Sequence, residues 1–541
     1  MTEFESLVVL LLASVLLTAA ARRIGAPYPA FLAIGGAVLA FVPGAPMFEL
    51  RPDLALALFV APVLLDAAFD TSTRDLRDNW MPVTGLVVVT VILTTIAVAW
   101  VTRAFVPQMP WAAALALGAI VAPPDAAAAT AVLRAVRPPY RLLTILEGES
   151  LLNDASALLI YRLAVGAVVA GSFSAWSVLP TFLFAVAGSV IVGPALAWVV
   201  LRVSQRITDV PSAIIVQFIS TFGVWLFAEH IGLSGVLTMV CFAIAIARPA
   251  SAVTPARLRI PSYAVWETMV FVLNVLAFVL IGLQIRPILD RLQPDVRTQY
   301  FTVAIAVLVT VIAVRIAWVM SYNTVLRWRI RRVGFHPPRP MMRPTARGGI
   351  LISWCGMRGV VSLAAALALP TTIAGPSGAT PFPYRDLIVL TAFCVVLGTL
   401  AIQGLTLRPL IRVLDLHDDD PVGREVGLAR ARALDAAMKS LDGETSIAAK
   451  VVRHQYVALL GDGATRPDGV TADLTAHDAL RRRALTAARD AVFRMRSDEE
   501  IGDDAFHRVE EELDWVEMSS SNAAASDSTN RTSASPSSSS A

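Results

Sequence analysis

Residues 118–159 read GAIVAPPDAAAATAVLRAVRPPYRLLTILEGESLLNDASALL, which sets Asp125, Glu149 and Asp154 inside two runs that otherwise have the character of lipid-buried helices. An ionisable side chain in hydrocarbon is costly, so it is kept where it faces a cavity, a partner or a bound ion. Three carboxylates, one of them directly after the Pro123-Pro124 break, therefore point to ion or proton handling within a membrane.

The rest of the chain fits that setting. Of 541 residues 56% are hydrophobic and only 16% charged, and the mean hydropathy is positive. A soluble chain of this length carries more charge. Apolar runs long enough to cross a bilayer core of roughly 30 Å recur along it. Thirteen are counted, near 5–21, 28–43, 54–70, 83–106, 110–134, 141–170, 175–203, 211–230, 233–248, 262–285, 299–323, 347–370 and 385–413, and are called spans 1 to 13. The expected fold is an all-α polytopic membrane protein.

The arginines test this count. Loops after odd spans hold Arg22, Arg23, Arg74, Arg77, Arg137, Arg202, Arg206, Arg248, Arg257, Arg259 and a dense group from Arg327 to Arg347. Loops after even spans hold only Arg51, Arg103, Arg286, Arg291, Arg297 and Arg385. Positive residues gather on the cytoplasmic side, so the N-terminus is expected outside and the C-terminal region inside a cell membrane. Merging spans 8 and 9 would put Arg248 to Arg259 on the wrong side. Span 1 follows Glu3 and Glu5 and precedes Arg22 and Arg23, the reverse of a secretory signal, so it is expected to remain as a helix.

Two spans are internally broken. Span 5 carries Pro123-Pro124, and span 12 reads GGILISWCGMRGVVSLAAALAL, with Gly348, Gly349, Gly356 and Gly359 around Arg358. The breaks lie seven spans apart, an odd number, so the two helices run antiparallel. Broken helices at corresponding points of oppositely oriented halves mark the binding site of inverted-repeat transporters.

Span 6 supplies the chemistry. Ser150 and Asp154 are four residues apart, as are Glu149 and Asn153, giving two adjacent rows on one helix face, while Glu147 points away. Asp154 lies thirteen residues from Arg141, roughly 20 Å along a helix and near mid-membrane. A carboxylate, a hydroxyl and carbonyls freed at a helix break suit a small alkali cation rather than a soft metal. Asp154 could hold a proton or a cation but not both, which is enough to couple exchange. The competing reading is a structural carboxylate paired with arginine. Arg315, in mid-span 11, and Arg358 each need a partner at that depth. Glu149 is the best candidate for Arg315, and carbonyls exposed at the break are a plausible counterpart for Arg358.

The runs ILEGESLLNDASALLIYR (145–162), GAIVAPPDAAAATAVL (118–133) and WCGMRGVVSLAAALALP (354–370) together resemble the bacterial sodium/proton antiporters of the monovalent cation:proton antiporter-1 family. LFVAPVLLDAAFDTSTRDLRDNW (58–80) and VWETMVFVLNVLAFVLIGLQI (265–285) extend the likeness over almost all of residues 1–413. The resemblance implies a homodimer with a dimerisation domain and a six-helix core domain that moves past it. It implies a cation between Asp154, Ser150 and the Pro124 carbonyl, with Glu149 nearby through water or Arg315. Asn153, where electrogenic relatives have a second aspartate, implies electroneutral exchange. The chain departs from the family in one place: Pro124-Asp125-Ala126 stands where many members have Thr-Asp-Pro, which opens the choice between Na+, Li+ and K+.

Other classes fit less well. The only lysines are Lys439 and Lys450, so no G-x-x-x-x-G-K-[ST] loop exists to drive a pump with ATP. A channel builds repeated filter residues rather than one protonatable site. A proton-coupled solute symporter wants a larger, aromatic-lined pocket. Cys241, Cys355 and Cys394 form no metal or redox motif, no cofactor is implied, and a net charge of +3 calls for no nucleic-acid partner. Asp66, Glu229 and Glu267 lie near span ends as structural or funnel-lining groups, Asn274 and Gln284 suit bonds between helices, and His230 and His336 sit where water reaches them. Residues 414–518 are charge-rich with helical periodicity at Leu480, Leu485, Ala488, Val492 and Met495, a cytoplasmic extension open to regulation. Residues 519–541, nearly all Ser, Ala, Asn and Thr, are expected to be disordered.

Overall fold

The computed structural model describes residues 3–24, 27–43, 56–125, 129, 133, 138–170, 175–334, 344–375, 378–416, 421–460 and 474–532. Arg51, Arg137, His336 and most of the second half of span 5 lie outside the described residues.

A helix or a pair of helices stands at each of the thirteen expected places. Spans 8 and 9 are separate helices, Val210–His230 and Gly235–Val253, because Gly232 takes a positive φ and Ser234 caps the second helix through the Leu237 N–H. Span 11 overruns its expected ends most, as one helix of 40 residues from Pro294 to Val333. It would be about 60 Å long, so its basic end, RWRIRR, projects beyond the membrane. Between spans 12 and 13 an antiparallel hairpin, Thr372–Gly375 with Gly378–Pro381, adds two short strands that apolar periodicity could not reveal. Its register pairs Thr372 with Pro381 and Ile373 with Thr380.

The spans pack as two groups. Spans 1, 2, 3, 7, 8, 9 and 10 contact one another, as do spans 4, 5, 6, 11, 12 and 13, with fewer links between the groups. Spans 4–6 and 11–13, offset by seven, thus fall together in the second group. Small residues permit the closest crossings: a Cβ on Gly36 or Gly282 would run into the backbone of the facing helix between spans 2 and 10, and one on Gly118 into Thr95 of span 4.

Beyond span 13, Pro421–Ser440, Ile447–Leu460, Leu474–Ser497 and Asp503–Thr532 form a helical body with its own apolar core, including Ala433, Leu485, Ala488, Val492, Phe506 and Leu513. The last helix corrects the expectation of disorder from Ser519, since it continues to Thr532. Extending a helix needs no new nucleus, and Ala523 to Ala525 favour the helical state.

Candidate functional site

The site forms where the two broken spans cross span 6. The helix Trp111–Val121 of span 5 ends before the proline pair, and span 12 is interrupted between Ala346–Trp354 and Val360–Leu367. The breaks are joined directly, because the Asp125 N–H donates to the Met357 carbonyl at 2.7 Å. Glycine is required here: a Cβ on Gly359 would overlap the Asp125 carboxylate, and one on Gly356 would lie 2.5 Å from Arg315 Cδ.

Arg315 and Arg358, both wholly buried, serve these breaks. Arg315 donates to Glu149 through two hydrogen bonds of 2.5 and 2.8 Å, and to the carbonyls of Ile352 and Cys355 at 3.1 and 3.0 Å. It thereby neutralises one carboxylate and caps the first half of span 12. Arg358 donates to Val121 O at 3.0 Å and Ala122 O at 3.2 Å on span 5, and to Gly356 O on its own span. Its own N–H donates to Thr399 Oγ1 of span 13 at 3.0 Å, a contact that sequence reading missed. The available signal was a threonine four residues before an isolated glutamine in an apolar run.

Asn153 Nδ2 donates to the Pro124 carbonyl at 2.9 Å, and the buried Asn153 Oδ1 has no partner among the described residues. The amide therefore orients the one break carbonyl that the resemblance names as a ligand. Asp154 is 9% exposed, and among the described residues its carboxylate takes no hydrogen bond and no ion pair. Its electrostatic neighbour is the Asp125 carboxylate. Ser150 is half-buried on the same face of span 6, one turn before Asp154. Two carboxylates, a serine hydroxyl and a break carbonyl, all hard oxygen groups, thus belong to the elements that meet at the helix break.

Of the residues singled out from sequence, Pro124 and Asn153 are in direct contact, as are Glu149 and Arg315, while Asp125 meets span 12 rather than span 6 through its backbone. Glu229 accepts two hydrogen bonds from Arg162, well away from the crossing. A cavity of about 390 Å³ opens elsewhere, between the ends of spans 4, 6, 11 and 12 and Glu425 of the helical body.

The profile of the transmembrane sodium/hydrogen exchanger family matches residues 8–413. An uncharacterised Na+/H+ exchanger of Mycobacterium tuberculosis is 31% identical over 95% of this chain and 95% of its own length. A sodium, potassium, lithium and rubidium/H+ antiporter of Bacillus subtilis is 32% identical over 70% of this chain and 57% of its own. In fold, the chain resembles the sodium proton antiporter of Methanocaldococcus jannaschii, with a TM-score of 0.58 at 18% identity over 77% of this chain and 99% of that one. With the family profile covering nearly the whole of its membrane-spanning part, the chain belongs to the sodium/hydrogen exchanger family.

Proposed function

We propose that Asp154 is the exchange site of this cation/proton antiporter, holding either a proton or a monovalent cation and never both. The observation that carries this reading is the contrast between two carboxylates on one helix. Glu149 is neutralised by Arg315, whereas Asp154, also buried, has no ion pair among the described residues. An unpaired carboxylate at such depth is costly unless it is protonated or ion-bound, and alternation between those two states is the coupling step. Ser150 Oγ and the Pro124 carbonyl complete the cation's ligands, and Asn153 positions the latter. One site carrying one charge either way makes the exchange electroneutral.

Na+ is the first substrate in this reading, in pH and cation homeostasis at the cell membrane. The name of the Bacillus relative favours a broader set that includes K+ and Li+, and the absence of a threonine hydroxyl at Pro124 is consistent with it. Spans 4–6 and 11–13 carry the site between inward- and outward-facing positions against the other group, whose exposed apolar faces suit lipid and a second copy of the chain. The arginine distribution supports an N-terminus outside and residues 414–518 in the cytoplasm.

The test is exchange in proteoliposomes under an imposed pH gradient, with Na+, Li+ or K+ added and luminal pH followed. The wild type is expected to move protons on cation addition, whatever the membrane potential, and Asp154→Asn to abolish that movement. Undiminished exchange in Asp154→Asn rejects the site, and a rate that scales with membrane potential rejects electroneutrality.

A further inference from the structure

Span 13 departs from regular helix at one place. Between Arg385–Thr399 and Leu405–Leu414, residues Leu400–Gly404 make a π-helical turn. Such turns are rare and recur at functional sites. Within this one, Gln403 is wholly buried, and among the described residues neither its amide oxygen nor its amide nitrogen has a hydrogen-bond partner. A buried polar group without a partner is uncommon in any protein and is disfavoured further inside a membrane.

Its position gives the orphan amide a context. Thr399, also wholly buried, turns its hydroxyl to the Arg358 N–H at the span-12 break. Gln403 follows four residues later, so at either α or π pitch it lies within about 40° of the same face. The adjoining Gly404 confirms the depth of contact: a Cβ there would stand 3.3 Å from Met357 Sδ and 3.4 Å from Ala30 Cβ. Met357 is the residue whose carbonyl holds the Asp125 N–H. The π-turn thus sets an unsatisfied amide near the face of span 13 that Thr399 turns to the span-12 break, next in sequence to Gly404, where span 13 of one helix group meets span 2 of the other.

We infer that Gln403 is a transport residue: its amide binds water of the cation's hydration shell as the ion enters or leaves the crossing. The amide supplies both a donor and an acceptor, which suits exchangeable water. The inference rests on the exchange reading given above, and places a polar station on span 13 that faces the break from the side of Arg358. Gln403 then governs how readily a hydrated cation sheds water, and so the ranking among Na+, Li+ and K+.

Two measurements test it. In proteoliposomes Gln403→Leu is expected to lower proton-coupled flux at least tenfold and to change the ratio of half-saturating Na+ to K+. Thr399→Val, which acts through Arg358, is expected to lower flux with that ratio unchanged. Wild-type flux and ratio in Gln403→Leu would assign the amide to packing alone. The second measurement uses the wild-type protein, so it holds whether or not the variant folds: X-ray hydroxyl-radical labelling, which reports bound water at buried methionines. Met357 is expected to oxidise faster than Met109 and Met239, all three being fully buried. Equal, slow labelling of the three overturns the inference. Absence of cation/proton exchange in the wild type would instead reject the exchange reading, leaving the labelling result to stand by itself.

Discussion

Arg315 and Glu149 form a bidentate ion pair of 2.5 and 2.8 Å in which neither side chain is more than 1% exposed. A pair so placed is costly to break from one side, because the remaining charge stays buried. Glu149→Ala is therefore expected to destabilise the protein by about 3–5 kcal/mol, and Arg315→Met by a similar amount. The double variant should be better than the sum of the two. Thermal unfolding in detergent across the four-protein cycle checks this, and strict additivity would mean that the pair does not act as a unit.

Asn153 is bound to the break by one hydrogen bond, from Nδ2 to the Pro124 carbonyl. Asn153→Ala leaves that carbonyl unheld and removes about 1 kcal/mol of net interaction. The expected result is a rise of roughly tenfold or less in the half-saturating cation concentration, with maximal flux less affected. A change in maximal flux with unchanged half-saturation would show that the carbonyl is not a ligand.

The glycines of span 12 make a sharper comparison. Gly359→Ala places a methyl group on the Asp125 carboxylate and Gly356→Ala one against Arg315, so both are expected to abolish exchange. Gly223→Ala in span 8, where a Cβ meets nothing within 4 Å, is the control and should exchange like the wild type. Cation-driven luminal pH change in vesicles reads all three.

These glycines also show what the sequence could and could not convey. The break itself was legible, because four glycines around an arginine have no place in an ordinary lipid-facing helix, and so was the partner of Arg315, since a buried arginine needs an acid. The Asp125–Met357 link was not, because it joins backbone atoms of two elements more than two hundred residues apart and has no side-chain signature. Nor was the π-turn at Leu400–Gly404, which leaves hydropathy unchanged. The span-11 overrun escaped for a related reason: apolarity marks where a helix meets lipid, and RWRIRR continues the helix after apolarity has ended.

The helical body after span 13 is fastened to both groups of spans. Arg259, at the start of span 10, is ion-paired with Glu510 at 3.1 Å and with Asp514, all three nearly buried, and Arg489 joins Asp514 at 2.7 Å. Burial pushes the Asp514 carboxyl up from its ordinary range, against the pull of Arg259 and Arg489. The same body meets Arg74 through Glu425 at 3.0 Å, packs Phe69 of span 3 against His507, and has Tyr140 of span 6 against its core. If the two groups move past each other during exchange, a body bound to both span 10 and span 6 is expected to slow it. Arg259→Glu and Asp514→Arg are each expected to raise flux severalfold at neutral pH by placing like charges in contact. The double reversal restores attraction between positions 259 and 514 but leaves like charges against Glu510 and Arg489, so it is expected to recover only part of the slower wild-type rate. Initial rates in proteoliposomes decide the matter: single variants no faster than the wild type, or a double variant as fast as either single, would show that the contact anchors the body without governing transport.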